Sequence, residues 1–342
     1  MSDTTIRPYE PGDEEQILDL FNRVFSEDNP DFEPRDMATW RHIYEGNPCG
    51  HQTLVGVDGD GRIVANYSSC PVKVRARGED REATQVVDSC VDARFRALLG
   101  KKSLFIRIAH EYQRLYCDPE APAFNDYIYG LPNERAYPIG RRMLGYTPVH
   151  CPLPRQVRVF DERWSDELAA RAGGLTAEAA GWEVLPTLVK LFEQHSLPRM
   201  ELGNHKTLEY LQWRYRDWPG APYRLAVVHR DGAPAGAVVY RVGVPWETEK
   251  LVVALDWFGP GDDEHVVAAL MSHLAAAGWD EGHPRFETWT TPAMPHRAQI
   301  LDLGTGEDAS RFNLCMVLFS PRYDIPWVKD HWWLTMGDTD IY

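Results

Sequence analysis

The chain is short of paired thiols. Its six cysteines are Cys49, Cys70, Cys90, Cys117, Cys151 and Cys315, and no two form a C-x-x-C pair. That spacing excludes zinc ribbons and thioredoxin-type redox motifs. Four of the six stand in apolar or strand-like surroundings, so the expectation is reduced, buried thiols in a reducing cytoplasm. Long apolar runs are missing as well. No segment reads as a bilayer span, and no secretory signal pattern precedes Ile6, so no membrane partner is expected. Cationic residues are in deficit, with 36 Lys and Arg against 51 Asp and Glu and a net charge of −15. A field of that sign repels phosphate, which argues against nonspecific nucleic-acid binding and requires any anionic ligand to be held locally. The 12 histidines are scattered; His265 and His273 share a predicted helix without a third ligand, so no metal is expected.

What is present is a chain of 342 residues, 44% apolar with 12 Trp, long enough for two ordinary domains. A short strand at Thr5–Pro8 leads through Pro11-Gly12-Asp13 to an amphipathic helix carrying Ile17, Leu20, Phe21 and Val24. Asp13 with Gln16 reads as a capping box. A second helix is predicted over Asp36–Tyr44. Strands follow at Gln52–Val57 and Arg62–Cys70, joined by Asp58-Gly59-Asp60-Gly61, and a third near Val72–Arg77.

The densest signal lies from Gln85 to Ile108. An apolar strand (Val86, Val87, Cys90, Val91) passes into a basic turn with Arg94, Arg96, Lys101 and Lys102 around Gly100, and then into a helix with Leu104, Phe105 and Ile108. Strand, glycine-bearing basic turn and helix N-terminus together make a phosphate cradle, because backbone N–H groups and the helix dipole converge there. A strand at Tyr127–Leu131 and a helix from Pro132-Asn133 to Leu144-Gly145-Tyr146 complete this half.

The second half repeats the layout weakly. Trp40-Arg41 has a counterpart in Trp213-Arg214, and Pro48 and Gly61 are separated by the same interval as Pro219 and Gly232. Its strand–helix turn, Gly259 to Glu264, is acidic; acid at a helix N-terminus caps the dipole from within and repels phosphate, so only the first copy is expected to bind an anion. Arg155–Pro198 reads as a partly helical bridge, which gives expected boundaries at 1–154, 155–198 and 199–342.

On these residues the N-terminal half resembles the GNAT superfamily of acyl-CoA N-acyltransferases. The resemblance rests on Val91, Phe95, Arg96 and Leu104 around the turn, on Asn133 and Ala136, on Leu144-Gly145-Tyr146, and on Ile6-Arg7-Pro8 with Gly12-Asp13. The whole chain is similar to tandem members with a degenerate second copy, the mycobacterial enhanced-intracellular-survival acetyltransferases among them. The resemblance implies an α/β fold of two GNAT-like domains, each a mixed, mostly antiparallel twisted sheet flanked by helices. It implies acetyl-CoA or a related acyl-CoA as co-substrate, with no metal. Ser89, Cys90 and Val91 would pair with the pantetheine amides, the turn Arg96, Ala97, Leu98, Leu99, Gly100, Lys101 would cradle the pyrophosphate, and Asn133 would contact the pantetheine arm.

This turn departs from the family pattern, with Leu99 and Lys101 where small residues are usual; direct charge from Lys101 and Lys102 would compensate. The position of the customary tyrosine acid is Arg141, and Tyr137, one helical turn earlier, is the candidate acid.

Acyl transfer from a thioester to an amine needs a base, an oxyanion donor and an acid for the leaving thiolate. Asp88, in an otherwise apolar strand, is the candidate base; its alternative is a structural carboxylate paired to Arg107 or another cation. The N–H near Val91 would be the oxyanion donor. The aromatic C-terminal stretch from His331 to Tyr342 is expected either to place the carboxylate of Tyr342 in the active site, as the tandem relatives imply, or to dock for packing. The expected reaction is direct attack by a small-molecule amine or amino-sugar in a ternary complex. A homodimer is possible. The alternatives are a non-catalytic CoA-binding regulator or scaffold, and an acyltransferase using charged tRNA, which the net charge disfavours.

Overall fold

The structure is a computed structural model that describes residues 4–29, 32–96, 103–121, 123–150, 152–220, 222–244 and 249–340. The chain divides into two compact units. The first comprises Met1–Lys73, Arg81–Val149 and Phe312–Ile325; the second comprises Val74–Asp80, His150–Arg311 and Pro326–Tyr342.

In chain order the first stretch forms β1 (Thr5–Pro8), α1 (Glu14–Asp28), α2 (Met37–Tyr44), β2 (Gln52–Val57), β3 (Ile63–Ala76) and β4 (Glu79–Val91). Next come α3 (Leu104–Tyr116), β5 (Tyr127–Gly130), α4 (Ala136–Met143) and β6 (Thr147–His150). The hairpin between β2 and β3 forms where the sequence places it, because Asp58 Oδ1 accepts the N–H groups of Asp60 and Arg62, each at 3.0 Å, and Gly61 takes φ of 80°. The two strands expected over 62–77 are one. β2 ends opposite Ser69, so Pro71 lies beyond its reach and its missing N–H leaves no gap on that side. The capping box expected at α1 is absent. The Asp13 carboxylate instead takes a bidentate pair from Arg7 at 2.7 and 2.9 Å, and Gln16 accepts from the Ile63 N–H.

The sheet of the first unit runs β1-β2-β3-β4-β5-β15-β6, with β15 (Leu314–Leu318) supplied from far along the chain. Its faces are set by alternation. Val55 packs with Ile17, Leu20, Trp40 and Tyr44 of α1 and α2, whereas Leu54 packs with Leu104, Ile108 and Tyr112 of α3. The sheet is therefore covered by α1 and α2 on one face and by α3 on the other.

The second unit contains β7 (Pro154–Val159), α5 (Glu162–Arg171), β8 (Ala177–Ala180), α6 (Leu185–Leu191), β9 (Leu202–Asn204), α7 (Leu208–Leu211), β10 (Tyr223–Arg230), β11 (Ala233–Val242) and β12 (Leu251–Phe258). It continues with α8 (Glu264–Asp280), β13 (Arg285–Thr288), α9 (His296–Asp302), β14 (Gly306–Ala309), α10 (Ile325–His331) and β16 (Trp332–Trp333). Its main sheet runs β14-β7-β13-β12-β11-β10-β8, and β12–β13 is its parallel pair. Residues 155–198, read from sequence as a bridge, supply β7, α5, β8 and α6 here. The tail read as aromatic is a packed strap: Trp332, Leu334 and Met336 are fully buried, and β16 runs parallel to β9. Both units are thus mixed α/β, with mostly antiparallel sheets flanked by helices.

Candidate active site

In the first unit the polypeptide around β4 and β5 is unlike the rest of the sheet. Their parallel pairing covers Thr84↔Ile128 and Gln85↔Tyr129 and goes no further. Gly130 closes the pair: a side chain there would press on the Val86 carbonyl at 3.3 Å. Beyond this point β4 changes face. Val87 and Cys90 both pack on the α1–α2 side although they are an odd number of residues apart, and Val86 and Val91 both face the α3 side. A regular strand would send such pairs to opposite faces. The break is Asp88, whose φ is +51°. Among the described residues the other non-glycine positions in this region of backbone space, Arg77 and Asp231, sit in turns; Asp88 sits inside a strand.

The left-handed step carries the Asp88 side chain onto the α1–α2 face. There Arg35 pairs with both carboxylate oxygens and the Tyr44 hydroxyl donates a further hydrogen bond. Burial, followed by the nearby carboxylate, pushes the Tyr44 phenol well above its ordinary range, so it remains a proton donor. Arg35 is itself fixed. Asn22 brackets its backbone with two 2.9 Å hydrogen bonds, and its guanidinium lies 4.3 Å from the centre of the Phe21 ring. The carbonyl of Asp88 accepts from Asn66 Nδ2 at 3.0 Å, and Asn66 belongs to a buried polar chain through Ser68 and Thr53 to His51.

Asp88 is therefore paired with a cation, and that cation is Arg35; Arg107 donates instead to the Thr4 carbonyl at 3.1 Å. Sequence reading had no route to Arg35, Tyr44 or Asn66, since nothing local marks them. The repeat held a hint. Arg35 stands two residues before α2, and Lys206 stands two residues before α7.

The basic cluster is partly spent inside the fold. Asp92, almost fully buried, is held far below the usual carboxylate range, first by its hydrogen bonds from Arg94 and also by Arg23 at 2.7 Å. Arg96 turns back on the strand, donating from Nε to the Val91 carbonyl at 2.7 Å. Ser89, Cys90 and Val91 form the end of β4; burial pushes the Cys90 thiol far up, so it is not a nucleophile. Ala97, Leu98, Leu99, Gly100, Lys101 and Lys102 lie outside the described residues, as does Tyr342. On the far side of the turn α3 opens at Leu104, and the Ser103 side chain makes no capping hydrogen bond to it. Asn133 caps α4, accepting from the N–H groups of Arg135 and Ala136 at 3.1 and 2.9 Å. Tyr137 lies in the first turn of α4, with the Arg141 guanidinium 5.7 Å from its ring centre. Gly145, at φ 76°, ends that helix, and the Tyr146 ring lies so close over Gly140 that no side chain would fit between. Among the described residues no group of three or more His, Cys, Asp or Glu is placed to hold a metal, and no helix is long and apolar enough to cross a membrane.

Residues 5–114 match the family model described as an acetyltransferase (GNAT) domain. A comparison with curated protein sequences finds no match. Among solved structures the chain resembles a probable N-acyltransferase of Enterococcus faecalis V583, at 12% identity and TM-score 0.66, covering 94% of this chain and 73% of that one. It resembles Saccharomyces cerevisiae N-myristoyltransferase with bound myristoyl-CoA, at 14% identity and TM-score 0.56, covering 94% and 83%. It also resembles a GCN5-related N-acetyltransferase of Kribbella flavida, at 15% identity and TM-score 0.62, covering 93% and 72%. Residues 5–114 thus carry the GNAT acetyltransferase-domain match, and the chain as a whole shares the fold of these solved structures.

Proposed function

We propose that the protein is an N-acetyltransferase that moves the acyl group of acetyl-CoA, or a closely related acyl-CoA, to a small amine or amino-sugar by direct attack in a ternary complex. The observation that carries this reading is the parting of β4 from β5 after Gln85, with the left-handed step at Asp88. An extended ligand bearing amides fits such a gap, with the peptide groups of Ser89, Cys90 and Val91 along one side. The turn from Arg96 to Lys102 takes the pyrophosphate, with Lys101 and Lys102 supplying charge and the first turn of α3, which the Ser103 side chain does not cap, supplying N–H groups. The N–H near Val91 faces the developing oxyanion, and Tyr137 returns a proton to the leaving thiolate.

Melting with and without ligand tests the reading. Acetyl-CoA at a hundred times its dissociation constant is expected to stabilise the protein by about 2.7 kcal/mol, and CoA is expected to be released over a panel of primary amines. No stabilisation by any acyl-CoA would overturn it. Stabilisation without CoA release would favour a regulator that reads acyl-CoA levels.

A further inference from the structure

Asp88 is held in a backbone conformation that costs free energy for any residue with a Cβ, and its surroundings are built to keep it there. Arg35 and Tyr44 grip its carboxylate, Asn66 grips its carbonyl, and Asn22 and Phe21 fix Arg35 in turn. The step they hold is the one that flips the face of β4 and coincides with the loss of pairing to β5.

The second unit repeats the arrangement independently. The β12–β13 parallel pairing runs from Leu251↔Arg285 to Ala254↔Thr288 and stops. The register of β12 against β11 slips at that point, leaving Leu255 as an extra residue. The next residue is a carboxylate, Asp256. It is gripped by a cation two residues ahead of a helix, Lys206 at 3.1 Å, and by a tyrosine hydroxyl from the helical segment that follows, Tyr215. Carboxylate, cation and tyrosine at the divergence point of a parallel pair thus occur in both units, in the same chain order.

We propose that Arg35 and Tyr44 are positioning residues, which lock the left-handed step of β4 through Asp88 and so keep β4 parted from β5 for the acyl donor. This rests on the assignment of that gap to acyl-CoA. Asp88 itself acts through the strand and not on the amine.

The test uses full-length protein and three variants: Arg35→Met, Asp88→Gly and the double variant. Glycine adopts a positive φ without cost, so it supplies the conformation while abolishing the need for the clamp. Arg35→Met is expected to weaken acetyl-CoA binding, read by calorimetry, by about tenfold, with kcat changed less than threefold. Adding Asp88→Gly is expected to bring binding back to within about threefold of the parent. Tyr44→Phe should fall between Arg35→Met and the parent. Hydrogen exchange in the free protein gives a readout that needs no ligand: amides of residues 86–91 should exchange faster in Arg35→Met and return towards the parent rate in the double variant. If the parent protein binds no acyl-CoA, the functional reading fails while the exchange pattern still decides whether the clamp orders β4. Unchanged exchange in Arg35→Met would overturn the clamp. Loss of turnover in Asp88→Gly with acetyl-CoA binding intact would overturn it as well, because it would make Asp88 a reacting group.

Discussion

The two carboxylates at the divergence points, Asp88 on β4 and Asp256 on β12, have the same kind of partners and opposite surroundings. Asp88 remains at the margin, its partner Arg35 with 21% of its side chain exposed. Asp256 is sealed. Lys206 lies between it and Asp338, Thr335 Oγ1 donates to it at 2.6 Å, and Gly337 passes so close to Asp256 and Tyr215 that no side chain would fit there. Burial works against the Lys206 ammonium, but the two carboxylates outweigh it and hold it above the usual lysine range. Burial raises Asp338, because a single ammonium cannot fully offset two carboxylates. Arg214 finishes the seal by donating to the carbonyls of Gly337 and Thr339 at 2.9 and 3.0 Å. The cation of the first motif is therefore partly exposed, whereas the second motif is covered by the chain's own C-terminal strap.

The helix starts differ in the same sense. The Asp263 side chain caps α8 at the Val266 N–H, 3.2 Å away, and is itself paired to Arg230; the backbone of the adjoining turn at Gly261 is packed against His296. The acidic turn thus satisfies its own helix dipole. At α3 the Ser103 side chain provides no such cap.

The contrast breaks most sharply at the cations. Lys206→Met leaves two buried carboxylates unmatched and is expected to cost about 3–5 kcal/mol in chemical denaturation. Arg35→Met, at a site water can reach, is expected to cost only about 1–2 kcal/mol. Equal losses at the two sites would mean that burial does not distinguish them.

Acid should act on the second unit first. Burial lowers His296 to about 3, with Arg199 adding to the effect, whereas an unfolded histidine titrates near pH ~6.5. The folded value is depressed, so this contribution is full above pH ~6.5 and shrinks as pH falls towards the folded value. The loss amounts to about 3 kcal/mol by pH ~4. His296→Asn should flatten denaturation midpoints measured between pH 7 and 4.5, and a slope equal to that of the parent would count against the assignment.

An effect as small as that at Arg35 is expected at Asp92 in the first unit. Its folded pKa is lowered, by Arg94 first, so its contribution is full above about pH 4 and is lost as pH falls through the lowered value. Asp92→Asn is expected to cost about 1–2 kcal/mol at pH 7, with the difference from the parent narrowing in strong acid. A difference that stays constant down to pH 2 would show that packing, not charge, sets it.

Much of the fold was legible where the signal is local. The Asp58–Gly61 hairpin, the amphipathic faces of α1 and α3, and the stop at Gly145 each follow from a few neighbouring residues. The capping box at Asp13 failed because a residue outside the helix, Arg7, made a better offer of hydrogen bonds. The site was half legible. The strand Ser89 to Val91 and the candidate Asp88 stood out as a polar interruption of an apolar run, but the partner of Asp88 is 53 residues away in the chain.

By itself the sequence determined the element types, the acidic balance, the strand–turn–helix within the stretch that matches a GNAT domain, and the turn chemistry that separates the two halves. Those are consequences of residue neighbours and spacing. Only the tertiary structure decided that Leu314–Leu318 joins the sheet of the first unit, that the C-terminal strap seals Asp256, and that Asp88 turns a full face to meet Arg35. Each of these depends on which distant group reaches a buried polar atom first, and desolvation makes that choice binding.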